Sequence, residues 1–291
     1  MCNRNLSRNI KQPGPIGSQV KSGLLYLPLL LCLCLQQQVC AQVTTIEATM
    51  LSLGKMHALP GPAHAYGENP ANLAGAESWI LTTYHNRPFL LKDLGVYGIS
   101  AVIPAFPGFL RGSISTYGIP GYQEFNTKAG YGMHLSDRIS AGVSIQYTNI
   151  RTRQEWNYLW TLGSSLGMSY KFSPGTIAAL CLVNPITVGN QNSYGPLYPS
   201  EIAGGIKHLI YPGTWWFNEI AFLQDHGMQF KTALACMLHE RVQLLGGLHT
   251  SPASLSFGVR CALDILLTDI AFAWSSNTGI HPAITITYVP R

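Results

Sequence analysis

The ten residues Ile139-Ser140-Ala141-Gly142-Val143-Ser144-Ile145-Gln146-Tyr147-Thr148 set an apolar side chain at every odd position and a small or polar one at every even position. Successive side chains of a strand point to opposite faces, so the stretch has one greasy face and one polar face. The same alternation recurs on both sides. Leu162, Leu166, Met168, Tyr170 and Phe172 oppose Gly163, Ser165, Gly167, Ser169 and Lys171, while Tyr131, Met133 and Leu135 oppose Lys128, Gly130, Gly132 and His134. Towards the end, Leu255, Phe257, Val259 and Cys261 oppose Ser256, Gly258 and Arg260. Ile270, Phe272 and Trp274 oppose Asp269, Ala271 and Ala273, and Ile284, Ile286 and Tyr288 oppose Thr285 and Thr287. Period two, the signature of a strand with unlike faces, therefore runs to the end of the chain.

Composition decides what those faces meet. Of 291 residues 47% are apolar and 11% charged, against roughly 25% charged in a soluble globular domain. Disorder and collagen are excluded by that apolar content. Beyond residue 41 no charge-free apolar run approaches the length of a spanning helix. A membrane-crossing backbone must satisfy its own hydrogen bonds, which leaves helices or closed barrels, and the alternation selects the barrel. The polar face is rich in Gly and Ser, as suits a lumen. The aromatics Trp215, Trp216, Phe217, Phe272, Trp274 and Tyr288 gather at segment ends, where interfacial girdles are expected.

The expected fold is all-β, a transmembrane antiparallel β-barrel of about fourteen strands with an N-terminal plug segment. The strands fall at 77–84, 94–104, 108–117, 126–135, 138–149, 158–171, 175–184, 200–211, 214–223, 228–239, 241–250, 253–262, 264–274 and 281–289. Tight turns are expected at Pro104–Pro107, Ser136-Asp137, Ser173-Pro174-Gly175, Pro212-Gly213, Glu240 and near Leu263. Longer loops are expected at His85–Asp93, Gly118–Phe125, Ile150–Asn157 and Pro185–Pro199, and these face the exterior if the first strand runs outward.

Residues 1–41 have the features of a secretory signal peptide: Arg4, Arg8, Lys11 and Lys21, then the apolar run Leu24–Leu35, then Val39-Cys40-Ala41 before a cleavage at Gln42. The run holds 12 residues broken by Pro28, short of the roughly 20 a spanning helix needs. Residues 42–291 carry 14 basic and 13 acidic groups and are nearly neutral, and the basic residues are scattered, which argues against a nucleic-acid partner. Cys181, Cys236 and Cys261 remain, an odd number that makes no disulfide framework. Residues 42–76 differ in kind from the alternating segments after them, being rich in Pro and Gly. There Asn69 can cap a short helix that has Pro70 at its first position and ends at Gly75, giving a plug or hatch at 42–76 ahead of a barrel at 77–291.

Catalytic and metal signals are weak. Gly163-Ser164-Ser165-Leu166-Gly167 matches the nucleophile-elbow pattern, but that chemistry needs a strand-to-helix turn, and these residues lie within a clear alternating strand. Nine histidines form no metal-ligand spacing. His134, His239 and His249 fall on the lumen face or its rim. No cofactor is indicated. Strand parity assigns to the lumen the cations Arg111, Lys128, Lys171, Lys207, Lys231 and Arg260 and the carboxylates Glu219, Asp264 and Asp269. Such an excess of positive charge would favour anions, whereas mutual pairing or a place at the wet rims would cancel the effect.

The stretch Asn69-Pro70-Ala71 with Leu73 and Ala74, set just before the first strand, resembles the N-terminal hatch of FadL-like outer-membrane barrels. The segments Pro199-Ser200-Glu201, Gly204-Gly205-Ile206-Lys207, Glu219 with Asp225, Leu248-His249-Thr250-Ser251-Pro252, Ser256-Phe257-Gly258 and Asp269-Ile270-Ala271-Phe272 look more like the PorV/PorQ-type branch of that superfamily. The chain departs from the pattern in ending Val289-Pro290-Arg291, where an aromatic is usual. The resemblance implies a fourteen-stranded barrel in the bacterial outer membrane, surrounded by outer-membrane lipid, with Asn69, Pro70, Ala71 and Leu73 as the hatch motif. It also implies one of two roles: passage of small hydrophobic or amphipathic molecules, or a non-enzymatic docking barrel whose partners are proteins of a type IX secretion-like system.

Overall fold

The computed structural model describes residues 46–62, 64–91, 94–119, 121–152, 158–190, 199–224, 227–276 and 279–290. The expected signal peptide lies outside them, as do the tips of the expected loops at 150–157 and 185–199. Among the described residues the strands are β1 (Ile80–Asn86), β2 (Val96–Ala105), β3 (Gly108–Ile119), β4 (Tyr122–His134), β5 (Ile139–Thr152), β6 (Tyr158–Ser173) and β7 (Thr176–Gly189). They continue as β8 (Glu201–Tyr211), β9 (Thr214–Leu223), β10 (Gly227–His239), β11 (Val242–Thr250), β12 (Ala253–Leu263), β13 (Leu266–Ser275) and β14 (Gly279–Tyr288). Every strand is antiparallel to its sequence neighbours, and β14 pairs back onto β1 through Leu81 opposite Tyr288, so the sheet closes and has no edge.

The alternation sorts side chains as the sequence requires. On β5, Val143 and Ile145 point outward and stand more than half exposed, whereas Ser140, Ser144 and Thr148 are buried inward. Leu166, Met168, Ile220, Phe230, Leu255, Phe257, Ile270 and Ile286 continue the outward set round the wall. An apolar belt this continuous exceeds anything a soluble monomer tolerates, and it marks the lipid-facing surface of a spanning barrel.

Two expectations about the wall change. The residues Gly118–Phe125 form no long loop, because β3 and β4 continue pairing to Ile119 opposite Tyr122 and turn over two residues. Gly121 there has φ +103°, a conformation that favours glycine. Likewise, Trp215 and Phe217 are not girdle residues. They share the inward parity of Glu219, and Phe217 is fully buried, while Trp216, Phe272 and Trp274 do face outward.

Residues 46–62 and 64–76, ahead of β1, pack inside the barrel. Helix α1 (Ala48–Ser52) packs on β11 to β14, with Ala48 and Leu51 against Ala271, Ala273 and Ala283. A 3-10 turn at Pro70–Gly75 packs on β3 to β6. Between them, Met50, Leu53, Met56, Ala58 and Leu59 form the main apolar cluster with Cys181, Ala203, Phe217, Ala221 and Leu245 of the wall. Space for this plug comes from small inward residues in register across six strands, Gly132, Gly142, Gly167, Cys181, Ala203 and Ala221. A Cβ on Gly142 would run into Pro70, and one on Gly167 into Asn69.

Candidate functional site

The plug is seated through its cap and held by charges. Asn69 Oδ1 accepts from Ala71 N (2.9 Å), the cap expected from sequence, while Asn69 Nδ2 donates to Ala58 O (2.8 Å) and to Leu180 O of β7 (3.3 Å). Pro70, Ala71 and Leu73 are buried with it over the glycine row.

The centre of the interface is Glu219 on β9. Its side chain is fully buried, and its oxygens accept from His57 N (2.9 and 3.0 Å), Ala58 N (2.8 Å) and Lys231 Nζ (3.0 Å). Strand register makes this pair, since Lys231 lies directly opposite Glu219. Lys231 Nζ also donates to Lys55 O (2.8 Å), and Glu201 lies 3.9 Å from it and 2.7 Å from His57 Nδ1. Burial, and then the charge of Lys231, holds the plug's Lys55 ammonium below the usual lysine range.

Two further anchors lie round the wall. Arg111 of β3 pairs with Glu47 and donates to Gly67 O (3.3 Å), and Lys128 of β4 pairs with Glu68. Burial alone would raise the Glu68 carboxyl, but Lys128, His57 and Arg111 outweigh it and bring it down to about 2. On the far side, Arg260 of β12 binds Asp269 of β13 through Nε–Oδ1 (2.6 Å) and a second nitrogen to Oδ2 (3.0 Å). That second nitrogen also reaches Thr49 Oγ1 (2.8 Å), which itself donates to Asp269 Oδ2 (2.7 Å).

The lumen charges named from parity thus fall into different settings. Arg111, Lys128, Lys231, Arg260, Glu219 and Asp269 point inward and come together with the plug. Lys207 also points inward, but it meets Pro60 O (3.4 Å), Gly61 O (3.3 Å) and the rings of Trp215 and Phe217. Lys171 is exposed at the short-turn end of β6, and Asp264 is exposed in the turn between β12 and β13. The expected positive interior is met by carboxylates beyond those expected from sequence: Glu47 and Glu68 from the plug and Glu201 from the wall. Of these, Glu201 shares the strand parity of Lys207, a signal that could have found it. His249 is buried inward with Nδ1 unpartnered, whereas His134 and His239 are exposed. The Gly163–Gly167 motif lies within β6, with Ser165 buried in the wall opposite Ser144 and Val183. No group of metal-ligating residues forms among the described residues.

Between the plug and β1 to β5 remains a polar cavity of about 50 Å³, bordered by Glu47, Glu68, Tyr84, Arg111, Asn126 and Lys128. It has room for a few waters, far below the roughly 300 Å³ at which small-molecule sites begin.

No protein-family model and no curated protein matches the chain. Solved structures do resemble it. The Ralstonia pickettii toluene transporter TbuX aligns with TM-score 0.61 at 12% identity over 84% of this chain and 98% of its own. The monoaromatic hydrocarbon channel CymD aligns with TM-score 0.62 at 11% identity, over the same shares. A FadL homologue of Pseudomonas aeruginosa aligns with TM-score 0.57 at 10% identity, again over 84% and 98%. At these identities the likeness establishes the fold, a FadL-type barrel, and the PorV/PorQ branch has no counterpart among these matches.

Proposed function

We propose that this chain is an outer-membrane barrel for the passage of small hydrophobic or amphipathic molecules, with the segment ahead of β1 as its resident plug. The observation that carries this is the manner in which the plug is held. Its polar anchors are concentrated on a few wall groups, Glu219 with Lys231, Arg111, Lys128 and the Arg260–Asp269 pair. These charged points act beside the apolar contacts of Met50, Leu53 and Leu59 with the wall, and disturbing them lowers the cost of releasing the plug. The cavity beside β1 to β5 is too small for a hydrocarbon, so passage on that side requires the plug to shift. Solved barrels of this fold include transporters of toluene and other monoaromatic hydrocarbons, which supports apolar cargo.

The test is uptake of labelled toluene and labelled decanoate by vesicles containing the purified barrel, beside protein-free vesicles. Uptake above the protein-free rate, faster in Glu219→Ala, is expected. Equal rates in wild type, Glu219→Ala and protein-free vesicles would overturn the proposal. A stoichiometric protein partner retained in native mass spectrometry of such an impermeable barrel would assign it instead to docking.

A further inference from the structure

The inner face of the barrel is of two kinds. Around β1 to β5 the buried inward side chains are mostly hydroxyls and amides, among them Thr82, Ser100, Ser115, Asn126, Ser144 and Thr148. Around β7 to β10 they are mostly small and apolar: Ala179, Cys181, Ala203, Ala221, Ala233 and Ala235, each 7% exposed or less. Register makes a strip of them, since Ala203 lies directly opposite Cys181 on one side and Ala221 on the other. Glu219 and Lys231 also stand on these strands, and there they pair with one another.

One piece of the plug covers most of the strip. Met56, Ala58 and Leu59 pack on it, and a Cβ on Gly205 of β8 would stand 2.9 Å from Leu59 Cδ1. The pieces on either side are fastened elsewhere. Helix α1 reaches the strip through Met50 and Leu53, but Ala48 N donates to Thr285 Oγ1 (2.8 Å), Thr49 Oγ1 donates to Asp269 Oδ2 (2.7 Å), and Ala48 and Leu51 pack on β13 and β14. The Pro70–Gly75 turn sits over the glycine row, with Leu73 against Ile80 and Val102. Left-handed backbone marks both ends of the covering piece, at Gly54 (φ +70°) and Lys55 (φ +57°) before it and at Gly67 (φ +62°) after it. A few such residues can absorb the backbone rotation of a hinged segment. Lys55 is held in this uncommon conformation while its carbonyl accepts from Lys231 Nζ (2.8 Å).

From this arrangement we propose that the strip is a binding site for compact apolar molecules, uncovered when residues 56–62 swing aside while α1 and the Pro70–Gly75 turn stay seated. The inference rests on the passage reading above, to which it adds a route along β7 to β10. Swinging the segment out breaks the bonds of His57 N and Ala58 N to Glu219, of His57 Nδ1 with Glu201, and of Asn69 to His57 O and Ala58 O. Those freed groups are polar and can turn to water, and Glu219 keeps Lys231. What stays bare is the small apolar strip, whose exposure to water is unfavourable. A hydrocarbon that covers it lowers the cost of the open state, because it binds there and finds no such surface in the closed one. A hydrated solute gains nothing from the same surface.

Amide hydrogen exchange of the full barrel in nanodiscs, resolved by residue, separates the possible movements. His57 and Ala58 donate to Glu219, Leu51 and Leu53 donate within α1, and Ala76 donates to Leu73 O. Toluene is expected to speed exchange at His57 and Ala58 about tenfold and to leave Leu51, Leu53 and Ala76 unchanged, while glycerol changes none of them. Ala203→Ser with Cys181→Ser places two hydroxyls on the strip and should reduce the toluene effect about threefold, whereas Ser144→Ala on the polar side should not. If the double variant does not migrate as a closed barrel on gels, Ala203→Ser alone serves in its place. Acceleration of all five amides together would mean that the whole plug leaves, and acceleration of none that the strip stays covered; either overturns the proposal. Toluene uptake by vesicles with His57 and Ala58 unmoved would preserve passage and overturn this site. Selective exchange at those two amides without uptake would support the site and defeat the passage reading.

Discussion

Replacing Glu219 by alanine should open the central part of the plug without opening the barrel. The carboxylate is the acceptor for His57 N, Ala58 N and Lys231 Nζ, and it is fully buried. Removing one partner of a buried ion pair costs about 3–5 kcal/mol, because the other charge is left without compensation. Here the lower end applies, since Lys231 keeps Lys55 O at 2.8 Å and has Glu201 at 3.9 Å. With about 1.4 kcal/mol per tenfold, a cost of about 3 kcal/mol raises the open population roughly hundredfold. Cys181 reports on it directly, being fully buried in the apolar cluster that Ala58 and Leu59 form with the wall. Its modification by a charged methanethiosulfonate, followed through the mass of the peptide that holds it, should quicken by about that factor if opening is fast relative to labelling. Glu219→Gln combined with Lys231→Met should return part of the protection, because the Glu219 charge goes together with that of Lys231 and Glu201 keeps His57 Nδ1 at 2.7 Å. Labelling of Glu219→Ala within threefold of wild type, in a barrel still heat-modifiable on gels, would refute the idea that this pair holds the plug.

Three other outcomes are expected at the same interface. Glu68 has a carboxyl depressed to about 2, so its pairing with Lys128 contributes fully above the ordinary carboxylate range near 4.5 and is lost as pH falls from there through 2; a spin label at His64 should become mobile over that window and stay fixed from pH 5 to 7. Gly142→Ala and Gly167→Ala should displace the Pro70–Gly75 turn and expose Cys181 to labelling, whereas Gly112→Ala, where a Cβ meets nothing within 4 Å, should leave labelling unchanged. Lys231→Met strands Glu219 and Glu201, while Lys207→Met strands no carboxylate contact in the structure; Cys181 labelling should therefore rise at least tenfold more in the first than in the second.

What the sequence makes legible depends on which physical constraint each residue obeys. Alternation is imposed by lipid on one face and lumen on the other, and it locates all fourteen strands because every position is subject to it. The same parity, carried along β9 from Glu219, places Phe217 and Trp215 inside; the girdle expectation for them fails because a preference of aromatics for interfaces is weaker than the register that fixes which way a side chain points. Parity does not carry depth, so Lys171 and Lys231 look alike in sequence although one is exposed at the rim and the other buried against the plug. Gly121 suggests a loop through its conformational freedom, yet a φ of +103° is also what the short turn between β3 and β4 uses. The plug's carboxylates were beyond reach for a further reason. Glu47 and Glu68 have no periodic relation to the wall, and only chain closure brings them to Arg111 and Lys128, 64 and 60 residues away. The glycines of the seat carry the missing signal. Three inward glycines at one level of β4, β5 and β6, where inward serine or threonine would do for a water-filled lumen, indicate that something packs there to backbone distance. The nearest segment with the Pro and Asn to turn within that space is the one ending at Gly75, so the seat and its occupant specify one another.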